Sequence, residues 1–344
     1  MHKNILISRT DGIGDVVLSL PLAGTLKKLF PECVIFFMGR TYTQAVIESS
    51  KYVTEFINYD ILEKKNTTEQ IEFLQNKKID TVIHVFPNLK FAKIAKKAKI
   101  ATRIGTFHRF HNILYSNKLI NLGRKKSNLH EAQLNLKLIT CLGAKAQFEL
   151  SEIINLYGFE NIEPLQPEFK KLISTDKFNV ILHPKSKGSA REWGLDNFSN
   201  LVDLLADDNN VIFITGTKEE GILLENFLIE KSNKVIDLTG KMNLKQLISF
   251  IAHSDALVAA STGTLHIAAA LNKIAIGIFA PMRPIFPQRW APIGANAQFI
   301  VKEKKCSECK KTQNCHCIRE ITAFDVFNKI INKKSQLFTN INIQ

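Results

Sequence analysis

Short apolar runs alternate along the chain with segments in which apolar residues recur every three or four positions. The runs predict β-strands and the periodic segments predict amphipathic helices, an alternation that favours βαβ units and mostly parallel sheets. In the first half the predicted strands are Asn4–Ser8, Val34–Met38, Val53–Asn58, Thr81–Phe86 and Ile100–Gly105. The predicted helices there are Asp15–Leu29, Thr68–Lys77, Lys90–Lys99 and His130–Cys141.

A segment with two prolines and little periodicity, Asn161–Lys177, predicts a linker. The alternation restarts after it, so the pattern predicts an α/β protein of two doubly wound domains, 1–165 and 166–344. The predicted strands of the second domain are Asn179–His183, Val211–Thr215, Lys234–Leu238, Ala256–Ala260 and Ile274–Phe279. Its predicted helices are Asp196–Ala206, Glu219–Lys231, Leu244–His253, Thr264–Leu271 and a final amphipathic helix at 323–332, which could pack back on the first domain.

Apolar residues make up 45% of the 344 residues and charged residues 23%, which is typical of a soluble globular protein. No basic amino-terminal region precedes an apolar stretch, so the sequence predicts no secretory signal. The longest apolar run, Ala256–Leu271, is short for a membrane span and polar in its middle. We therefore expect a cytoplasmic protein.

Positive charge is concentrated in one part of the chain. The formal net charge is +14, and the segment from Thr81 to His130 holds eleven Lys or Arg and no Asp or Glu. Such a segment attracts polyanions, which include nucleic acid, an anionic membrane surface and a phosphorylated or acidic sugar acceptor. On charge alone, a solvated helix face explains it equally well.

Four of the six cysteines lie close together near the carboxyl end. Cys33 and Cys141 fall in apolar segments, where buried thiols are ordinary. The other four form a C-x-x-C pair and a C-x-C pair, which is not a standard zinc-ribbon spacing. We expect reduced thiols or local structural pairs in this loop rather than a metal; the four are Cys306, Cys309, Cys315 and Cys317.

The first predicted strand ends in a glycine turn that begins like a dinucleotide-binding fingerprint. A third glycine is due at Val17, and an acid is due after the second strand, where the chain has Arg40. Both departures argue against a nicotinamide site, and the absence of a P-loop motif argues against a kinase or ATPase. Asp15, just past the turn, fits either a helix dipole or a general base. Because a helix end favours the charged form, we expect a weak base.

Two loops of the second domain are candidates for an anion site. After the strand ending at His183, the donors Lys185, Ser186, Lys187 and Arg191 suit a diphosphate, although an exposed basic loop would look the same. Further on, Ser261-Thr262-Gly263-Thr264 precedes a helix, whose free N–H groups would form a second phosphate cradle. His266 in its first turn could donate to a phosphate or sugar oxygen.

Together these stretches resemble the bacterial heptosyltransferase family, glycosyltransferase family 9, from about Asn4 to Lys333. The resemblance includes Gly14-Asp15, "HPKSKGSAREW", "DLTGKMNLKQLISFIAHSDALVAASTGTLHIAAAL", "PMRPIFPQRWAPIG" and the cysteine tail. It implies a GT-B fold, with two Rossmann-like domains facing a central cleft. It also implies an inverting, metal-independent and cofactor-free sugar transfer, typically from ADP-heptose to a lipopolysaccharide core acceptor.

The resemblance also assigns roles to individual residues. Asp15 matches the family's general base, and Ser261 stands where many members have an Asp that contacts the sugar, so the sugar itself stays open. Lys185 would help stabilise the leaving diphosphate. The positions matching donor-binding residues are Ser186, Arg191, Met242, Thr262, Gly263 and His266.

The basic segment then becomes a docking surface for an anionic glycolipid at the cytoplasmic face of the inner membrane. Lys97, Arg103 and Arg109 are the predicted acceptor contacts, and no nucleic-acid partner is expected. Three alternatives stay open: transfer from a different nucleotide sugar, a nucleotide-sugar epimerase of similar architecture, and a non-enzymatic module that binds polyanions or membrane surfaces.

Overall fold

The computed structural model describes residues 2–107, 110–124, 127–303, 306, 309, 312 and 316–341, with the side chains of 110–112 and 338–341 left out. The chain divides into two compact units, Met1–Asn161 and Ile162–Gln344. Among the residues described, no helix has both the length and the apolarity required to cross a bilayer.

The first unit is built on a six-stranded parallel sheet with the strand order β3-β2-β1-β4-β5-β6. This is the order of a Rossmann sheet, in which ligands bind outside the carboxyl ends of the strands where the order reverses, here between the first and fourth strands. The strands are β1 Asn4–Ser8, β2 Val34–Gly39, β3 Glu55–Asn58, β4 Thr81–His84, β5 Thr102–Thr106 and β6 Lys118–Ile120.

Helices connect these strands, and their apolar faces close the core over the sheet. Phe91 and Ile94 on α6, for example, are buried with Leu6 of β1 and Phe36 of β2. The helices of this unit are α1 Ile13–Val17, α2 Pro21–Leu29, α3 Gln44–Glu48, α4 Tyr59–Leu62, α5 Thr67–Asn76, α6 Leu89–Lys97, α7 Phe110–Tyr115, α8 Glu131–Lys137 and α9 Leu150–Ile154.

The second unit repeats the topology. Its parallel sheet has the order β12-β11-β10-β7-β8-β9, so the order reverses between β7 and β10. The strands are β7 Phe178–His183, β8 Asn210–Ile214, β9 Ile236–Asp237, β10 Ala256–Ala260, β11 Ile274–Phe279 and β12 Ala297–Val301. The helices are α10 Pro167–Lys170, α11 Leu195–Leu205, α12 Lys218–Leu223, α13 Glu225–Glu230, α14 Leu244–His253, α15 Gly263–Ala270, α16 Pro287–Trp290, α17 His316–Arg319 and α18 Ala323–Ile341.

The sequence prediction was wrong at several element boundaries. The helix predicted from Asp15 to Leu29 is two helices, because Pro21 has no N–H to continue the first and instead begins α2. The helix predicted from Glu219 to Lys231 is likewise divided at Leu224 into α12 and α13. Two of the four edge strands, β6 and β12, were missed; β6 has only three residues, and every residue of both strands is half-buried or exposed.

The predicted linker is partly helical. Phe169 of α10 is buried and packs edge-on against Phe250 of α14, with ring centroids 6.3 Å apart. The local sequence pattern did not reveal this short helix, which contacts α14 through the buried Phe169. The final helix, α18, packs against α11 and β11 of the second unit.

Candidate functional site

In the first unit, polar side chains gather beyond the carboxyl end of β1, beside the point where the strand order reverses. The chain leaves β1 through Arg9 and turns at Gly12, which is the N-cap of α1. Gly12 provides no side-chain cap, and Asp15 lies in the first turn of α1, where the helix dipole favours a negative charge. The sequence likewise predicted that Asp15 lies at the start of a helix, just after the glycine turn.

A buried arginine joins the acids of this edge. Arg9 is 3% exposed, and its Nε donates to Oδ1 of Asp11 at 2.6 Å, while Nη2 pairs with Oδ1 of Asp15. Nη1 lies 3.5 Å from both Glu131 Oε1 and Asn135 Oδ1. One guanidinium therefore orients two carboxylates at the turn and ties them to a helix more than a hundred positions away in the sequence.

That helix, α8, supplies the rest of the network. Glu131 and Asn135 are four residues apart and so share one face, which is buried. Arg124 donates to Glu131 Oε1 at 2.6 Å and to Asn135 Oδ1 at 3.0 Å. Asn135 Nδ2 donates to the carbonyl of Leu18 at 3.0 Å, which fixes α8 against the end of α1. Three acids and two arginines thus form one connected cluster.

The environment of Asp15 corrects the sequence-based expectation of a weak base. Burial raises the pKa of the Asp15 carboxyl to about 6; the positive charge of Arg9 opposes this shift, while the charges of Asp11 and Glu131 add to it. Burial also raises the pKa of Asp11. Burial removes the carboxylate from water, and this destabilises its charged form more than the helix end and the Arg9 guanidinium stabilise it. Arg9 also has to interact with Asp11 and Glu131, so its charge is shared among three acids.

Sequence reasoning missed Arg9, Arg124 and Glu131. A weak signal was present for Arg9, since a cation directly after a buried strand and two residues before an acid is unusual in a core position. Nothing local pointed to Arg124 and Glu131. Their partners lie too far away in the sequence for spacing to reveal them.

In the second unit, the loop after β7 is largely held by the protein itself. Lys185 Nζ forms an ion pair with Glu192 Oε2 at 2.9 Å, and the buried Ser186 hydroxyl donates to the carbonyl of Ala190 at 3.1 Å. Arg191 Nε donates to the carbonyl of Cys309 at 2.8 Å. The loop predicted as a set of available donors is therefore preorganised, with Arg191 anchored by the segment that carries the cysteines.

The loop after β10 begins α15 as predicted. Thr262 is the N-cap without a side-chain cap hydrogen bond to the helix; its hydroxyl instead lies 2.9 Å from that of Thr264. His266 is 3% exposed in the first turn of a helix whose other residues are mostly buried and apolar. The first N–H groups of α15 therefore follow directly from the strand at the switch point, the usual position for a phosphate.

The structure brings the two loops together at a pocket. Arg191 and Ser261 both line it, with an apolar wall formed by Ala190, Ile278, Phe279, Ala280, Met282 and Ile285. Met242 stands apart from this lining, half-buried just before the N-cap of α14. Side chains from both predicted donor loops therefore lie at one pocket.

The predicted acceptor contacts do not gather around Asp15. Lys97 is in the last turn of α6, which leads back to the amino edge of the sheet, opposite the edge that carries Asp15. Arg103 donates from Nε to the carbonyl of Tyr115 at 2.8 Å and from Nη1 to that of Ile100, so its guanidinium is engaged by the backbone. Arg109 lies outside the described residues.

Comparison with known proteins places these observations in a family. The model of glycosyltransferase family 9 (heptosyltransferase) matches residues 69–317. A Haemophilus influenzae protein provisionally named a glycosyltransferase is 26% identical over 313 residues, covering 85% of this chain and 86% of its own length. Lipooligosaccharide heptosyltransferase 2 of the same organism is 24% identical, covering 86% and 88%.

The fold is also shared with a solved structure. The Escherichia coli ADP-heptose lipopolysaccharide heptosyltransferase II superposes with a TM-score of 0.74 at 19% identity, over 97% of this chain and 99% of that chain.

Proposed function

Because the chain belongs to glycosyltransferase family 9 (heptosyltransferase), we propose that it moves heptose from ADP-heptose to an inner-core lipopolysaccharide acceptor, with inversion at the anomeric carbon. The family establishes a glycosyltransferase with the GT-B fold, as predicted from the sequence. The names of the relatives support heptose as the sugar and ADP as the carrier.

The proposal depends mainly on the environment of the Asp15 carboxyl, which raises its pKa to about 6. A hydroxyl nucleophile must lose its proton as it attacks, and a carboxylate with a pKa of about 6 is ionised at neutral pH yet holds a proton better than an ordinary aspartate. Arg9 orients that carboxylate from its buried side. We therefore assign Asp15 as the general base.

The donor is proposed to bind at the switch point of the second unit. The diphosphate would accept hydrogen bonds from the first turn of α15 and from Thr262, with Arg191 supplying a forked cation. The ion pair of Lys185 with Glu192 keeps a second cation beside the loop. Ser186, Gly263 and His266 would complete the contacts near the phosphates, and Met242 would contact the nucleotide.

Transfer then proceeds in one displacement. The acceptor oxygen bonds to the anomeric carbon on the face opposite the nucleotide, its proton passes to Asp15, and the bond from that carbon to the diphosphate breaks. The electron pair leaves with ADP, whose added charge Arg191, Lys185 and the helix end would stabilise. The protein already holds both side chains by polar contacts, so they would not have to reorganise as the charge develops.

The acceptor is a lipid, and α6 offers a surface suited to its membrane. Lys90, Lys93 and Lys97 recur at helical spacing and are exposed, and Leu89 at the start of the helix is 53% exposed. Cations beside exposed apolar side chains are typical of peripheral contact with an anionic bilayer. We propose that this surface holds the protein at the cytoplasmic face of the inner membrane.

The general-base assignment is tested with Asp15→Asn. We expect kcat to fall by about 10²–10⁴-fold, since general-base catalysis contributes on that scale, while the Kd for ADP in calorimetry stays unchanged. The kcat of the natural chain should fall about tenfold per pH unit below pH 6, because the base becomes protonated.

Asp60→Asn is the matched control, since Asp60 also occupies the first turn of a helix at the same sheet edge. It should retain activity. An Asp15→Asn enzyme with near-normal kcat would refute the role of Asp15. Donor identity is read from a thermal-shift panel, in which ADP-linked sugars should raise the melting temperature and uridine or guanosine analogues should not.

A further inference from the structure

Three of the clustered cysteines converge in space. The Sγ atoms of Cys306, Cys309 and Cys317 all lie within 4.8 Å of one another. Cys309 and Cys317 are buried at 0% and 2% exposure, and Cys306 is half-buried beside them. The sequence spacing alone did not favour a metal here, but spacing reports only how far apart ligands are along the chain, and the fold decides where their sulfur atoms point.

We propose that these three thiolates bind one thiophilic metal ion, zinc or iron(II), as a structural centre. Zn–S bonds of about 2.3 Å in a tetrahedral site place sulfur atoms about 3.8 Å apart, so the trio needs shifts of only about 1 Å. A disulfide could join only two of the three and requires S–S of about 2.05 Å. Soft thiolate ligands select zinc and iron over magnesium or calcium.

The chain around the trio explains why a metal would be useful. The only regular element between β12 and α18 among the described residues is α17, which has four residues. So short an element cannot hold a segment in place by its own helix formation. A metal centre cross-links the segment and adds its binding free energy to folding.

Fixing this segment would also position the proposed donor site. The carbonyl of Cys309 accepts the Nε hydrogen bond of Arg191 at 2.8 Å, and the carbonyl of Ile321 accepts that of Trp193 Nε1 at 2.7 Å. Asn197 Nδ2 donates to the carbonyl of Arg319 at 3.0 Å. The cysteine segment therefore serves as the support on which Arg191 rests, and Cys309 is a positioning residue. This consequence, unlike the metal site itself, rests on the proposed function.

Metal content tests the site directly. The full-length chain, purified under reducing conditions without a metal-affinity tag, should contain about one zinc or iron per chain by mass spectrometry of the digested protein. Cys306→Ser, which changes the least buried of the three proposed ligands and should therefore disturb packing least, should lower that content at least tenfold. Cys33→Ser and Cys141→Ser are the controls and should retain the metal, because neither belongs to the trio.

Cobalt substitution supplies an independent measurement. Replacing the native ion with Co²⁺ should produce thiolate-to-cobalt charge-transfer absorption in the natural chain and in the two controls, with loss in Cys306→Ser. A natural chain with no stoichiometric metal, a disulfide among the trio after alkylation and peptide mass analysis, or equal metal in Cys306→Ser would overturn the proposal.

ADP binding tests separately whether the metal centre positions Arg191. Removing the metal with a chelator under reducing conditions should lower the melting temperature and weaken ADP binding, and restoring the metal should reverse both. If ADP fails to bind even the metal-loaded chain, the donor assignment fails while the metal content still decides the site. If ADP binds equally with and without metal, the positioning role is wrong.

Discussion

Asp15 and Asp60 both occupy the first turn of a helix at the carboxyl edge of the same sheet, yet their pKa values shift in opposite directions. Hydrogen bonding from the backbone N–H of Thr41, together with Arg40, lowers the pKa of Asp60 to about 2, whereas burial raises that of Asp15 to about 6. At the scale of a residue, position on a helix therefore does not decide acidity. Burial, the hydrogen bonds that the carboxylate accepts and the charges around it decide the pKa together.

This contrast predicts opposite stability changes in two isosteric variants. The folded pKa of Asp15 exceeds its unfolded value of 3.8, so ionised Asp15 destabilises the folded state above pH 6, and the cost disappears below pH 3.8. Asp15→Asn should therefore raise the free energy of unfolding at pH 8. The full shift corresponds to about 3 kcal/mol, and solvent screening of a partly exposed carboxylate reduces this to about 1–2 kcal/mol.

Urea unfolding at pH 8 and pH 4.5 measures the effect, and the gain should shrink at the lower pH. Asp60→Asn should do the reverse, because a lowered folded pKa stabilises the protein above the unfolded value and that stability is lost only as pH falls toward 2. A destabilised Asp15→Asn at pH 8 would show that Arg9 dominates the cluster after all.

At the scale of the element, two glycines allow backbones to approach more closely than any other residue would. A Cβ on Gly24 of α2 would lie 2.4 Å from the carbonyl oxygen of Leu156, and one on Gly294 would lie 2.4 Å from that of Ala269. In both cases the obstacle is backbone and cannot rotate away. The close packing of α2 against Leu156, and of α15 against Gly294, therefore requires a residue without a side chain at these two positions.

Gly24→Ala should therefore destabilise the protein despite the better helix propensity of alanine. Overpacking costs about 1–3 kcal/mol and the propensity gain returns about 1 kcal/mol, so we expect a net loss of up to about 2 kcal/mol in urea unfolding. Gly221→Ala on α12 is the comparison, because the atom nearest its added Cβ would be the Thr239 hydroxyl, at 2.5 Å, which can rotate away. Its loss should be smaller. Equal losses would mean that backbone contact is not what requires Gly24.

At the scale of the molecule, the net charge of +14 is less informative than its location. The acid-free segment contributes the exposed lysines of α6, and on the same helix the buried residues Phe91 and Ile94 join the core. One helix therefore attaches to its own sheet by one face and offers charge by the other. The exposed lysines are not part of the core, so a partner could bind to them and dissociate without changing the packing of the sheet.

The double variant Lys93→Glu/Lys97→Glu should bind anionic vesicles more weakly than the natural chain. Each lysine near such a surface contributes about 1 kcal/mol, so losing both predicts at least about 30-fold weaker binding. Flotation with phosphatidylglycerol vesicles measures it, and binding by the natural chain should decline as salt rises. The charge-matched control Lys170→Glu/Lys177→Glu, on exposed lysines of the second unit, should bind normally. Equal weakening in both would indicate that net charge matters and α6 does not.

The sequence by itself determined the class of fold and pointed to two candidate loops. Strands such as β1, β10 and β11 are buried along nearly their whole length, so they appear as apolar runs that need no knowledge of their neighbours. The turn with Asp15 and the loop from Ser261 to His266 could be found because each is a local pattern joining a strand to a helix. Two of the four edge strands, β6 and β12, were missed, and none of their residues is fully buried.

Only the tertiary structure decided what those loops can do. Arg9 meets Glu131 across 122 positions of sequence, and Arg191 meets the Cys309 carbonyl across 118. The pKa of Asp15, the anchoring of Arg191 and the meeting of three cysteine sulfurs all depend on such contacts. The physical reason is that periodicity is a property of adjacent residues, whereas burial and the sum of nearby charges belong to the whole fold.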